Sequence, residues 1–112
     1  MSSIEVKTVG DAKIVGILRR FDAYTASQVE VELNRLVSEG TKKIACDFSQ
    51  TEYLASAGLR VLLTASKGLS RAGGKMVLCN VKPYVMEVFE ISGLNRIFQI
   101  YPTVEEAVKA LT

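Results

Sequence analysis

The chain has 112 residues, 48% of them apolar and 23% charged, with 14 basic against 12 acidic side chains for a net charge of +2. That length suits one domain that buries roughly two-thirds of its unfolded surface and needs no disulfide or metal to fold. The small, mixed charge excess excludes a strongly basic nucleic-acid binder and an acidic disordered tail, the lack of histidine removes imidazole acid–base chemistry and His metal ligation, and no run approaches the roughly 18–20 apolar residues of a membrane span.

Ile4, Val6 and Thr8 alternate with Glu5 and Lys7, the pattern of a strand with one buried face. Val9-Gly10-Asp11-Ala12 turns the chain, and Ile14 to Leu18 returns as a more buried antiparallel strand. From Ala26 the period becomes helical, through Val29, Leu33, Leu36 and Val37, with Gly40 as the stop. Lys43 to Phe48 reads as a central strand and Ser49 to Glu52 as polar loop. A second helix runs from Ala57 to about Ala72, with Ser56 as its expected N-cap and Gly73-Gly74 closing it. Met76 to Cys79 is a buried strand. Pro83 opens a third helix that Gly93 ends, and Ile97 to Ile100 forms a last strand. Pro102-Thr103 then starts a helix striped by Val104, Ala107, Val108 and Leu111. The order ββαβαβαβα predicts an α/β domain over residues 1–112, with a largely parallel sheet and one antiparallel edge hairpin.

Little in this pattern suits catalysis. Asp47 and Glu52 read as a strand-end turn residue and a solvated loop residue rather than an acid–base pair. Gly68 to Lys75 is close to a phosphate-binding loop, but Gly74 stands where that motif needs lysine and the order is helix-to-strand, not strand-to-helix. Arg19-Arg20 and Lys42-Lys43 lack interleaved aromatics and make a weak nucleic-acid signal. Cys46 and Cys79, far apart in apolar stretches, are expected as buried thiols of a reducing compartment. Met1 to Lys7 has no signal-peptide pattern, so a cytoplasmic location with no membrane insertion is expected.

The most informative stretch is Asp47 to Leu63. Ser56 sits between Ala55 and Ala57-Gly58 at the first turn of an apolar helix, so its hydroxyl has no bulky neighbours. A small, open helix N-terminus favours contact with another molecule or acceptance of a phosphate, because free amides and the helix dipole attract an anion.

Asp47-Phe48-Ser49, Tyr53 and Ser56-Ala57-Gly58-Leu59 match in order and spacing the core pattern of the STAS domain family, the anti-sigma factor antagonists, which the chain resembles. Phe21 to Ala26, Gly73 to Leu78 and Val88 to Leu94 are similar to further family segments. The resemblance implies a non-enzymatic module without a cofactor. Its serine, here Ser56, is phosphorylated by an anti-sigma factor with serine kinase activity and restored by a serine phosphatase; the unphosphorylated form binds the anti-sigma factor. It implies partner contacts at Asp22, Ala23, Tyr24 and Thr25, and at Ala55, Ala57, Gly58, Leu59 and Arg60, with no metal site and no direct nucleic-acid contact. A constitutive docking subunit, for example of a lipid ABC transporter, is the other role the resemblance allows, with Ser56 only a helix cap. Two positions depart from the family pattern: Ala55 where many members carry Asp, and Arg19 where Gly is frequent.

Overall fold

Buried apolar runs bounded by turns give the strands, and they assemble as expected. In the computed structural model, which describes residues 4–112, strands β1 (Val6–Val9) and β2 (Ala12–Gly16) form the antiparallel hairpin. Strand β4 (Lys43–Asp47) lies parallel to β2, β6 (Lys75–Cys79) parallel to β4, and β7 (Ile100–Tyr101) parallel to β6. The sheet order is β1-β2-β4-β6-β7. Ile44, Ala45 and Cys46 in the central strand are all fully buried, which requires cover on both faces.

Three helices supply one cover and a fourth the other. Helices α1 (Ala26–Ser38), α2 (Ser56–Arg71) and α3 (Pro83–Ser92) pack with Val15, Ile44, Cys46 and Leu78. Helix α4 (Val104–Leu111) packs Ala107 and Leu111 on Ile14, Ala45, Val77 and Cys79. Period-two alternation along each strand sends neighbouring residues into different cores. All four phenylalanines lie in the larger core as one chain of ring contacts: Phe21–Phe48 at 6.4 Å, Phe48–Phe89 at 5.9 Å and Phe89–Phe98 at 6.2 Å between centroids.

The helix ends follow the punctuation in the sequence. Gly73 N–H donates to the Ser70 carbonyl at 3.0 Å and Gly74 N–H to the Leu69 carbonyl at 2.8 Å, the paired bonds of a Schellman stop, with Gly73 at φ +85°. The near-miss phosphate loop is thus a helix C-terminus. Thr103 caps α4, accepting from Glu106 N–H at 3.1 Å.

Three expectations need correction. Two strands were not foreseen: β3 (Arg20–Phe21) and β5 (Tyr53–Leu54) pair in parallel as a separate ribbon. Two residues per strand are too few to show a period. The last strand is Ile100–Tyr101 rather than Ile97 to Ile100, because Leu94–Arg96 winds into a 3-10 turn that leaves Ile97 exposed and drives Phe98 alone inward. On β1 the buried face is incomplete: Val6 is half-buried but Thr8 is exposed, at the sheet's open edge.

Cys46 and Cys79 are free and buried, on adjacent strands but facing opposite cores. Burial pushes the Cys46 thiol far above its ordinary range and that of Cys79 up to about 12. Neither thiol is positioned to meet the other or ionise near neutral pH. Native protein should therefore react with a bulky aromatic disulfide reagent only as fast as it opens, with both thiols released together in denaturant; rapid labelling of either in native buffer would contradict this packing.

Candidate functional site

The loop after β3 is ordered by its own polar side chains. Asp22 Oδ1 accepts from Tyr24 N–H at 3.0 Å and Thr25 N–H at 3.2 Å. Thr25 reciprocates: its Oγ1 accepts from Asp22 N–H at 3.1 Å and donates to the Arg20 carbonyl at 2.6 Å. These reciprocal bonds close the turn that leads into α1, whose N-cap, Thr25, makes no side-chain cap bond. Ala23 and Tyr24 project from it, Tyr24 with 89% of its surface exposed, while Thr25 is half-buried. Partial desolvation raises the Asp22 pKa, but hydrogen bonds from the Thr25 and Tyr24 amides and from Arg20 outweigh it and hold the carboxyl below its ordinary value.

The second loop is fixed to the first by backbone. Thr51, fully buried, donates its hydroxyl to the Leu18 carbonyl at 3.0 Å. Arg20 then pairs with Tyr53 and Phe21 with Leu54, and Ala55 N–H donates to the Phe21 carbonyl at 3.0 Å. Gly58 lies against Phe21 so closely that a Cβ there would stand 2.9 Å from both the ring Cγ and the carbonyl oxygen. The Asp22 loop and the start of α2 therefore form one surface, as expected for two loops at the carboxyl side of the strands.

Ser56 is not the N-cap. Ala55, in an extended conformation, holds that position, no side chain caps α2, and Ser56 is its first helical residue. The Gly58 and Leu59 amides donate to the Ala55 carbonyl at 3.0 and 3.3 Å. Those of Ser56 and Ala57 have no acceptor within the helix. Ser56 and Arg60 are exposed and Ala55 and Ala57 half-buried. Gly58 and Leu59, expected in the contact set, face inward, with Leu59 in the main core. Their part is to seat the helix beneath the surface residues.

The sequence shows Arg20 as half of a basic pair and Tyr53 as part of the family pattern, but not that the two meet. The Arg20 guanidinium lies 4.4 Å from the Tyr53 ring centroid, and its Nε–H donates to Asp22 Oδ2 at 3.3 Å. Arg19, where Gly is frequent in the family, donates to Glu52 Oε1 at 3.0 Å. Arg19 precedes β3 and Glu52 precedes β5, so this second ion pair sits just ahead of the ribbon. A cross-strand cation–aromatic pair becomes visible in the sequence only once the ribbon's register is known. Asp47 is a turn residue as anticipated: Oδ1 accepts from Ser49 N–H and Asn80 Nδ2, both at 3.0 Å. Among the described residues, no three Cys, Asp or Glu side chains gather into a metal-binding cluster, and no helix is long and apolar enough to cross a membrane.

A mixed sheet with four helices, an edge hairpin and two stitched loops beside an exposed serine defines a small class of protein modules. The STAS domain matches residues 3–107, and the chain belongs to the STAS domain family. BtrV of Bordetella bronchiseptica, provisionally designated an anti-sigma factor antagonist, is 44% identical over 85 residues, spanning 76% of this chain and 73% of that protein. The anti-sigma-B factor antagonist of Listeria monocytogenes is 33% identical over 88% of this chain and 87% of its own length. A Thermotoga maritima crystal structure with the same provisional designation as BtrV superposes with a TM-score of 0.90 at 26% identity, covering 96% of this chain and 93% of that one.

Two glycines of α2 test the seating. A Cβ at Gly68 would meet no atom within 4 Å, so Gly68→Ala should stabilise by about 0.5–1 kcal/mol through helix propensity. Gly58→Ala gains the same propensity but strikes a backbone carbonyl and a fixed ring, an overpacking cost of about 1–3 kcal/mol, so it should be net destabilising. Urea unfolding of both variants checks the contrast.

Asp22 gives a pH signature. A carboxyl whose folded pKa is depressed stabilises the fold above its unfolded value, near 3.9, and loses that contribution as pH falls through the folded value. Asn keeps a side-chain acceptor for the turn amides but does not titrate in this range. Asp22→Asn should therefore fold well at neutral pH and lose less stability than the parent on acidification below about pH 4, measured by melting temperature. Asp22→Lys, in contrast, removes the acceptor for the Tyr24 and Thr25 amides and should lower the melting temperature at every pH.

Proposed function

We propose that this STAS domain is an anti-sigma factor antagonist whose docking face is the Asp22 loop and the start of α2, switched off by phosphorylation of Ser56. The observation that carries the reading is the exposed Ser56 hydroxyl at the first position of α2, with the cap role taken by Ala55. Serine has no capping duty there, so capping does not account for it. That removes the structural reason for treating Ser56 as a mere cap in a constitutive docking subunit.

In this reading the unphosphorylated domain binds an anti-sigma factor that is also a serine kinase, and so frees the sigma factor. Asp22, Ala23, Tyr24, Thr25, Ala55, Ala57 and Arg60 supply the contacts, with Gly58 and Leu59 as their support. A serine phosphatase resets the switch. The domain has no catalysis of its own, needs no cofactor and acts in the cytoplasm. The names of the relatives support the antagonist role, and the family resemblance supports the kinase and phosphatase. Ala55 in place of the frequent Asp leaves one carboxylate fewer beside the incoming phosphate.

The physics of the switch is local. A phosphate adds a charge of about −1.5 to −2. At a helix N-terminus that charge is favourable by roughly 0.3–1 kcal/mol, so modification should leave the domain folded. The partner, however, must pack on small residues at this point and would have to desolvate a dianion where a hydroxyl had been. Ser56→Ala, no longer expected to lose a cap, should change stability by no more than about 0.5 kcal/mol and bind constitutively. Ser56→Asp and genuine phosphoserine at 56 should bind weakly at near-normal melting temperature. The test is incubation with ATP and the purified anti-sigma kinase, intact mass, then affinity and melting temperature on all four forms. A phosphorylated form that binds as tightly as the parent would eliminate the switch.

A further inference from the structure

We propose that Arg20 is a positioning residue: it latches the Asp22 loop to the strand leading into Ser56, so that the two halves of the docking face are held as one preformed surface. This rests on the reading of that face as the partner site. Three observations converge on this one residue, two through its side chain and one through its backbone. Its guanidinium stacks on Tyr53, 4.4 Å from the ring centroid, on the strand that runs into α2. Its Nε–H bonds Asp22 Oδ2 at 3.3 Å, leaving Oδ1 for the Tyr24 and Thr25 amides. Its carbonyl accepts the Thr25 hydroxyl at 2.6 Å. Arg20 thus touches both arms of the site through different groups, and the aspartate it orients is the one that shapes the Tyr24 turn.

The chemistry requires arginine. The planar fork can stack face-on against a phenol ring while an edge N–H reaches a carboxylate; lysine keeps the charge but offers neither the plane nor the Nε–H. Arg19 is the internal contrast, since its ion pair with Glu52 ties together the segments just ahead of the same ribbon but touches no residue of the Asp22 loop. Fixing the loop before the partner arrives lowers the ordering cost of binding, which is where such a latch shows its effect. The side chain is largely exposed, 63% in the ion pair, so the latch changes local order and not global stability.

The free protein reports on the latch directly. Amide exchange of Tyr24 and Thr25, followed by NMR in the unphosphorylated parent, Arg20→Gln, Arg20→Lys and Arg19→Gln, is the measurement. Arg20→Gln should speed both amides about fivefold, the size expected for losing an exposed cation–aromatic contact and an ion pair together. Arg20→Lys should recover only part of the protection, and Arg19→Gln should resemble the parent. The Glu106 amide, capped by Thr103 across the sheet, serves as the control that should not move. Unchanged Tyr24 and Thr25 exchange in Arg20→Gln overturns the proposal, as does full rescue by lysine. Binding to the purified anti-sigma kinase gives the second arm. Faster exchange with a several-fold weaker affinity supports the latch, and faster exchange with parental affinity overturns its role in the docking surface. If the parent itself binds no such kinase, the antagonist reading fails, while the exchange result still decides whether Arg20 orders the loop.

Discussion

The close approach of Gly58 to Phe21 governs the geometry of the candidate site. With no room for a Cβ at position 58, the first turn of α2 settles directly on the backbone of β3. That contact brings Ala55 within hydrogen-bond distance of the Phe21 carbonyl and extends the pairing that begins at Arg20 and Tyr53. A side chain at 58 would lift the helix from the ribbon, parting Ser56 from the Asp22 loop.

Phe21 also begins the chain of aromatic rings that runs through Phe48 and Phe89 to Phe98. Edge-on and tilted rings pack without room to slide, and each belongs to a different segment of the fold. The surface that holds Ser56 is therefore underlain by rigid core rather than suspended on a free loop. A rigid base suits the proposed charge switch, in which a modification need not move the backbone to alter what a partner meets.

The polar groups around the site are largely committed to structure. Asp22 orders the entry to α1, Thr51 ties down the loop after β4, Asp47 closes its own turn against Asn80, and Glu52 holds Arg19. Tyr24, Ser56 and Arg60 are exposed, the last two one turn apart on α2.

Periodicity and punctuation in the sequence determined the main architecture. Buried runs at Lys43–Asp47 and Lys75–Cys79, helical stripes beginning at Ala26 and Ala57, and stops at Gly40, Gly73 and Gly93 are local signals, each carried by residues close together in the chain. The motif around Ser56 was legible for the same reason. Tertiary structure alone decided the rest. It assigned the cap of α2 to Ala55, because the cap depends on where the ladder from Phe21 ends. It turned Leu59 and Gly58 inward, because the helix is seated by a strand nearly forty residues earlier. It joined Arg20 to Tyr53 through a ribbon only two residues long in each strand, whose pairing is non-local and leaves no period to read. It set Cys46 and Cys79 on opposite faces, since face is fixed by register and register by the partner strand.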